Sequence, residues 1–144
     1  MNKSKIDLEL EVILTSTYSE IVLNVLKIHK NLSVIKTMVF AFLIKKRKFI
    51  NANVYSASNK NDLVLKCISQ LSGLYKDYCE NLKYIISAIH LLIVNGKLAY
   101  NLGELMYVET SEIIIEEKSF INNAIRESKN YSDRQFLKEV VRNV

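Results

Sequence analysis

Apolar residues recur along most of this chain at steps of three and four, the spacing that gathers them on one side of a helix. Leu10, Leu14, Tyr18, Ile21, Val22, Val25 and Leu26 predict a first helix over about 7–30, with Asp7 as its cap. Asn31-Leu32-Ser33 breaks the pattern, and Ser33 is placed to cap a second helix, about 33–45. Its expected core face is Ile35, Met38, Val39, Phe42 and Leu43, with Lys36 and Thr37 as polar spots. A third helix, about 62–76, carries Leu63, Cys67, Ile68, Leu71, Leu74 and Tyr75, and a break or kink is expected near Tyr78. The fourth, about 80–94, is apolar nearly all round. Leu82, Ile85, Ile86, Ile89, Leu92 and Ile93 make one face, and Tyr84, Ala88 and Leu91 a second. Only Lys83, Ser87 and His90 remain as a polar stripe, so this helix is expected to be buried on more than one side.

Asn95-Gly96 stops the fourth helix, since both residue types tolerate left-handed backbone. Lys97–Tyr100 and Leu105–Val108 then read as a hairpin over about 97–109, with Gly103 supplying positive φ in the turn. Ile113-Ile114-Ile115 either extends the hairpin or opens a helix. Phe120, Ile121, Ala124 and Ile125 mark a helix ending near 128–130. Ser132 and Gln135 form a capping-box pattern that starts a last helix, Asp133–Asn143, with Phe136, Leu137, Val140 and Val141 on one face. Such a short helix is marginal alone in water. Its apolar face is expected either on the first helix or in a partner's groove. The pattern as a whole predicts a mainly α (α+β) protein. A winged helix-turn-helix-like domain with a β-hairpin wing spans 1–110, and a C-terminal helical extension over 111–144 packs on that domain or on a partner.

Composition sharpens this picture. A chain of 144 residues can bury a real core, and no proline with three glycines leaves few helix breaks. No uncharged run approaches the roughly 20 apolar residues that span a bilayer. Asp7, Glu9 and Glu11 deny the N-terminus an apolar leader. Cys67 and Cys79 stand without a CxxC partner, and the expectation is a cytoplasmic protein with free thiols. Charge is segregated: Ile21–Asn61 holds eight Lys and Arg without an acid, and Leu98–Glu117 holds five Glu without a base. Either two solvated surfaces drifted apart, or two faces meet different partners. Lys45, Lys46, Arg47 and Lys48 sit at the end of the second helix, where cations complement the dipole. They are either a solvated helix end or a contact for phosphate or an acidic partner.

Catalytic chemistry is absent from the pattern. His29 and His90 lack Cys or acidic neighbours at metal-ligand spacing, and the glycines build no phosphate loop. No Ser or Cys sits in a nucleophile elbow, and Glu116-Glu117 belongs to an acidic run. No catalytic residue, cofactor or metal site is expected, and the chain is not read as an enzyme. In a winged helix the reading helix precedes the wing, which here is the fourth. It offers Lys83, Ser87 and His90 rather than a set of Arg, Asn and Gln, and the wing after it is acidic. Docking on protein suits it better than reading bases. Phe136, Leu137, Val140 and Val141 are the expected docking residues.

Three stretches carry a family resemblance: the apolar helical pair Ile13–Leu43, the run YIISAIHLLIVNGKLAYN, and the terminal NYSDRQFLKEVVRNV. Together they resemble the small middle component of three-component ABC-ATPase systems, close to the small winged-helix subunit of Lamassu-type bacterial defence operons. The resemblance implies a cytosolic, kleisin-like or accessory subunit. It would bridge an SMC-like ABC ATPase and an effector such as a nuclease, in sensing foreign DNA during anti-phage and anti-plasmid defence. It transfers no catalytic residue. DNA would be met non-specifically and through the complex. The alternative class is a dimeric winged-helix transcriptional regulator in which Lys45–Lys48 hold the phosphate backbone.

Overall fold

Five consecutive side chains of α2 (Val34–Lys46), Val39-Phe40-Ala41-Phe42-Leu43, are all buried. At 3.6 residues per turn, five in a row pass completely around the axis. This helix therefore has no side left for water, and the rest of the fold is arranged about it. The computed structural model describes residues 4–46, 60–108 and 119–143. Its other elements are α1 (Lys5–His29), β1 (Asn31–Ser33), α3 (Lys60–Ser69), α4 (Tyr75–Val94), β2 (Leu98–Asn101), β3 (Glu104–Tyr107), α5 (Phe120–Ser128) and α6 (Asp133–Arg142). Helices α1, α4, α5 and α6 all touch α2, and β1 leads into it. The expected one-faced helix is thus corrected: Lys36 and Thr37, read as polar spots, are buried, while Ile35 and Met38 are only partly so. Thr37 can enter because its hydroxyl donates to the Ser33 carbonyl at 2.8 Å.

Asn31–Ser33, read from sequence as a helix break, is the third strand of a sheet. It pairs antiparallel with β3, Asn31 opposite Met106 and Ser33 opposite Glu104. On the other side of β3 lies β2, with Leu98 opposite Tyr107 and Asn101 opposite Glu104, so the order is β1-β3-β2. Three residues cannot display an alternating pattern, so only the neighbouring hairpin reveals this strand. Lys30, at a φ of 69°, turns the chain out of α1 into it. The hairpin forms where expected. Leu102 and Gly103 both have positive φ, 49° and 84°, as a two-residue turn with both central residues left-handed requires.

The break between α3 and α4 falls at 70–74, around Gly73 at φ 78°, rather than near Tyr78. Helix α4 runs unbroken from Tyr75, and the expected boundaries 62–76 and 80–94 are corrected accordingly. Nothing between Lys76 and Glu80 breaks a helix; the segment only lacks apolar periodicity. Tyr78 donates its backbone N–H to Leu74 and sets its ring edge-on against Phe42, 5.3 Å between centroids. Nor is α4 buried on more than one side, because Ile86, Ser87, His90, Leu91 and Val94 are exposed.

Ser4, Ser119 and Ser132 each cap a helix through their hydroxyl oxygens, and the capping box with Gln135 is present. The first helix accordingly starts at Lys5, capped by Ser4 instead of Asp7. Of the two places expected for its apolar face, the first helix or a partner's groove, neither is where helix α6 chiefly packs: its main contacts are with α2 and α3. Phe136 is 0% exposed, its ring 5.6 Å from that of Phe40. Side chains of α5 and α6 share one apolar cluster with those of α1 to α4. Arg47, Lys48, the connection with Val54 and Tyr55, and Ile113–Ile115 lie outside the described residues. Because Phe136 fills the space beside Phe40, Phe136→Ala should cost about 3–5 kcal/mol in urea unfolding of the full chain. Leu137→Ala, at an exposed position, should cost less than about 1 kcal/mol. Equal effects would remove α6 from the core.

Candidate protein-docking groove between α1 and α4

Only the second half of α1 is clamped, by burial of Tyr18, Val22, Val25, Leu26 and His29. The Tyr18 hydroxyl donates to Asn81 Oδ1 of α4 at 2.8 Å, so the helices run antiparallel, the free start of α1 beside the end of α4. Between them lies an open groove of about 860 Å³. Leu8, Val12, Thr15 and Ser19 line one wall, at helical steps of four, three and four. Ile86, Ser87, His90 and Leu91 line the other. Val12 is 68% and Ile86 52% exposed, and Leu8, Leu91 and Val94 extend the same apolar strip. These exposed apolar side chains, set among Glu11, Thr15, Ser16, Ser19, Ser87 and His90, make the groove the candidate docking surface.

The walls are held by a polar chain that no sequence pattern announces. Asn81 receives the Tyr18 hydroxyl and donates through Nδ2 to the Asp77 carbonyl, 2.8 Å, and to its Oδ1, 3.1 Å. Asp77 in turn forms an ion pair with Lys46. Lys46 Nζ also lies 5.7 Å from the centre of the Phe42 ring, and Lys45 Nζ 5.9 Å from that of Tyr18. Burial, reinforced by the Asp77 charge, pushes the Tyr18 hydroxyl well above its ordinary pKa and keeps it a donor. Two of the four cations proposed for phosphate contact are thus half-buried and engaged at the junction of α1, α2 and α4.

The four apolar positions of α6 are divided. Phe136 and Val140 enter the core, whereas Leu137 and Val141 face outward beside Arg134 and Lys138 in a shallow groove. One residue step turns a helix by 100°, enough to carry 137 and 141 past the edge of the buried face.

A second polar cluster joins α5 to β1. His29 Nε2 lies 3.3 Å from Asn122 Oδ1, and Lys129 Nζ donates to the His29 carbonyl at 2.7 Å and to Asn31 Oδ1 at 3.0 Å. Lys36 Nζ donates to the Tyr131 carbonyl. Burial lowers the pKa of both lysines, and Glu104 opposes that shift in each. Glu104 of the hairpin thus faces Lys36 of the basic segment as well as Lys129 at the end of α5, so part of the charge segregation is answered inside the fold. Every buried side-chain nitrogen and oxygen among the described residues has a hydrogen-bond partner. The cluster serves as a staple. Cys67, fully buried, has its thiol pushed up to about 12, and Cys79 is exposed. Among the described residues no His, Cys, Asp and Glu gather into a metal site, and no helix is long and apolar enough to cross a membrane. No family model, curated protein or solved structure matches the chain.

Burial, more than the nearby Lys129 and Arg126 charges, drops His29 from 6.5 to about 4, against the pull of its Asn122 hydrogen bond. The folded state then binds fewer protons than the unfolded state between these values, and stability falls as pH drops through that window. The loss is on the order of 3 kcal/mol. Urea unfolding at pH 7 and pH 4.5 should show this fall in the wild type and a much flatter response in His29→Gln. Equal slopes would assign the acid sensitivity to other groups.

Proposed function

We propose that this chain is a non-catalytic winged-helix subunit that docks on a larger protein through the groove between α1 and α4. Helix, strand, helix, then α4 followed by two strands, with the sheet in the order β1-β3-β2, supports the winged-helix reading. In it α3 is an added helix, α4 holds the place of the reading helix, and β2–β3 is the wing. The observation that carries the function is the outer face of α4. Where a DNA reader presents cations and amides, the groove face of α4 presents Ile86 and Leu91 with Ser87 and His90, beside Leu8 and Val12 of α1. Water-excluding contacts of that kind fit a partner helix with apolar anchors at steps of three and four.

The resemblance to the small subunit of Lamassu-type and three-component ABC-ATPase systems supplies the assembly we propose. The partners are an SMC-like ABC ATPase and its effector, in cytoplasmic defence against phage and plasmid DNA. The regulator reading is weaker, because Lys45 and Lys46 already serve Tyr18, Phe42 and Asp77.

Val12→Asp with Ile86→Asp should leave the melting temperature of the chain nearly unchanged, since both positions are exposed. The pair should weaken co-purification with a co-expressed SMC-like ATPase by roughly a hundredfold or more, as expected for charging two interface anchors. Undiminished binding would overturn the groove as the docking site. Tight binding to duplex DNA with a steep salt dependence would favour the regulator instead.

A further inference from the structure

Helix α1 consists of two unlike halves joined by a weak stretch. From Lys5 to Thr17 no side chain is buried, whereas Tyr18, Val22, Val25, Leu26 and His29 all are. The change falls within Thr15-Ser16-Thr17-Tyr18-Ser19, five consecutive residues of the weaker helix-forming types. Two hydroxyls in this stretch bond back into the helix. Thr17 Oγ1 donates to the Ile13 carbonyl and Ser19 Oγ to the Thr15 carbonyl, both at 2.9 Å. Serine and threonine bonded in this way bend a helix. Tyr18, at the same level, is held by Asn81 of α4. A bend here therefore moves the first half of α1 and leaves the second half in the core.

We propose that the first half of α1 is an arm, hinged at residues 15–19, that folds onto α4 and closes the groove when nothing occupies it. The structure shows the open form. In it Leu8 and Val12 stand exposed on one wall, and Ile86 and Leu91 on the other. Bringing these walls together removes apolar surface from water without the help of another molecule. The arm is about 20 Å long at 1.5 Å per residue, so a bend of about 20° at its base carries its start through about 7 Å. The movement uncovers no buried side chain of the arm, and the Lys5–Glu9 ion pair lies within the arm and travels with it. Open and closed forms are then two populations of one chain, and any helix entering the groove draws on the open one. Closure is intramolecular, so it does not depend on the partner proposed above.

The test measures the distance between two spin labels on the full chain, carried by Lys5→Cys at the tip of the arm and Lys97→Cys just past α4. Cys79→Ser removes the exposed native thiol, and Cys67 is buried. The labelled chain should show two distance populations, the shorter by roughly 5 Å or more, as the bend requires. Thr17→Ala with Ser19→Ala removes both back-bonds and supplies a better helix former. Val12→Asp with Ile86→Asp sets like charges on the facing walls. In each variant the short population should fall roughly tenfold or more, which a shift of one tenfold unit in the open–closed equilibrium produces. Melting temperatures no lower than that of the labelled parent verify that both variants are folded. A single distance in the labelled parent would overturn the proposal, as would a short population that survives in either variant. Binding to a partner plays no part in this readout, so its failure leaves the docking reading untouched.

Discussion

A helix with no polar side must be enclosed, and that requirement on α2 governs the rest of this fold. Its run from Val39 to Leu43 faces every direction within little more than one turn. Helices α1 and α4 cover part of that circumference, and α5 and α6 take another part. Without the C-terminal pair, Phe40 would lose Phe136 and stand open to water. The two final helices are thus components of the core, whatever else their outer faces do. Burial of the polar residues on α2 follows from the same enclosure. Thr37 bonds back to its own turn, and Lys36 reaches the Tyr131 carbonyl at the start of the last helix, so neither is left unpaired.

Enclosing α2 uses only the second half of α1, and the surplus length is where the candidate function lies. The first turns of α1 run on beside α4 with Leu8 and Val12 exposed, forming a wall without a covering layer. Their position is set by the network from Tyr18 through Asn81 and Asp77 to Lys46, which ties α1, α4 and α2 at one point. Lys45 and Lys46, two of the cations that look like a DNA contact in the sequence, are part of this fastening. The same economy appears at the sheet, where Glu104 of the hairpin lies close to Lys36 and Lys129. Opposite charges that are far apart along the chain meet across β1 and β3, and their attraction offsets part of the desolvation of the two lysines.

Much of the local structure was legible in the residues alone. Apolar periodicity located the helices, Gly96 and Gly103 located the stop and the hairpin, and Ser132 with Gln135 located the start of the last helix to the residue. These are effects of neighbours within a few positions, and a sequence displays them directly. What only the tertiary structure decided is which faces meet protein and which meet water. Periodicity shows that Ile85, Ile86, Ile89 and Leu92 share a helix. It does not show that Ile86 lies outside the core while Phe40, given no place on a core face, lies at its centre. Strand β1 exists because β3 offers it an edge, and Tyr18 finds Asn81 across 63 positions of chain. The division of Phe136 and Val140 from Leu137 and Val141 depends on where α2 and α3 happen to stand. Each of these outcomes rests on contacts between distant segments, and burial is a property of the pair of surfaces that meet, never of one of them alone.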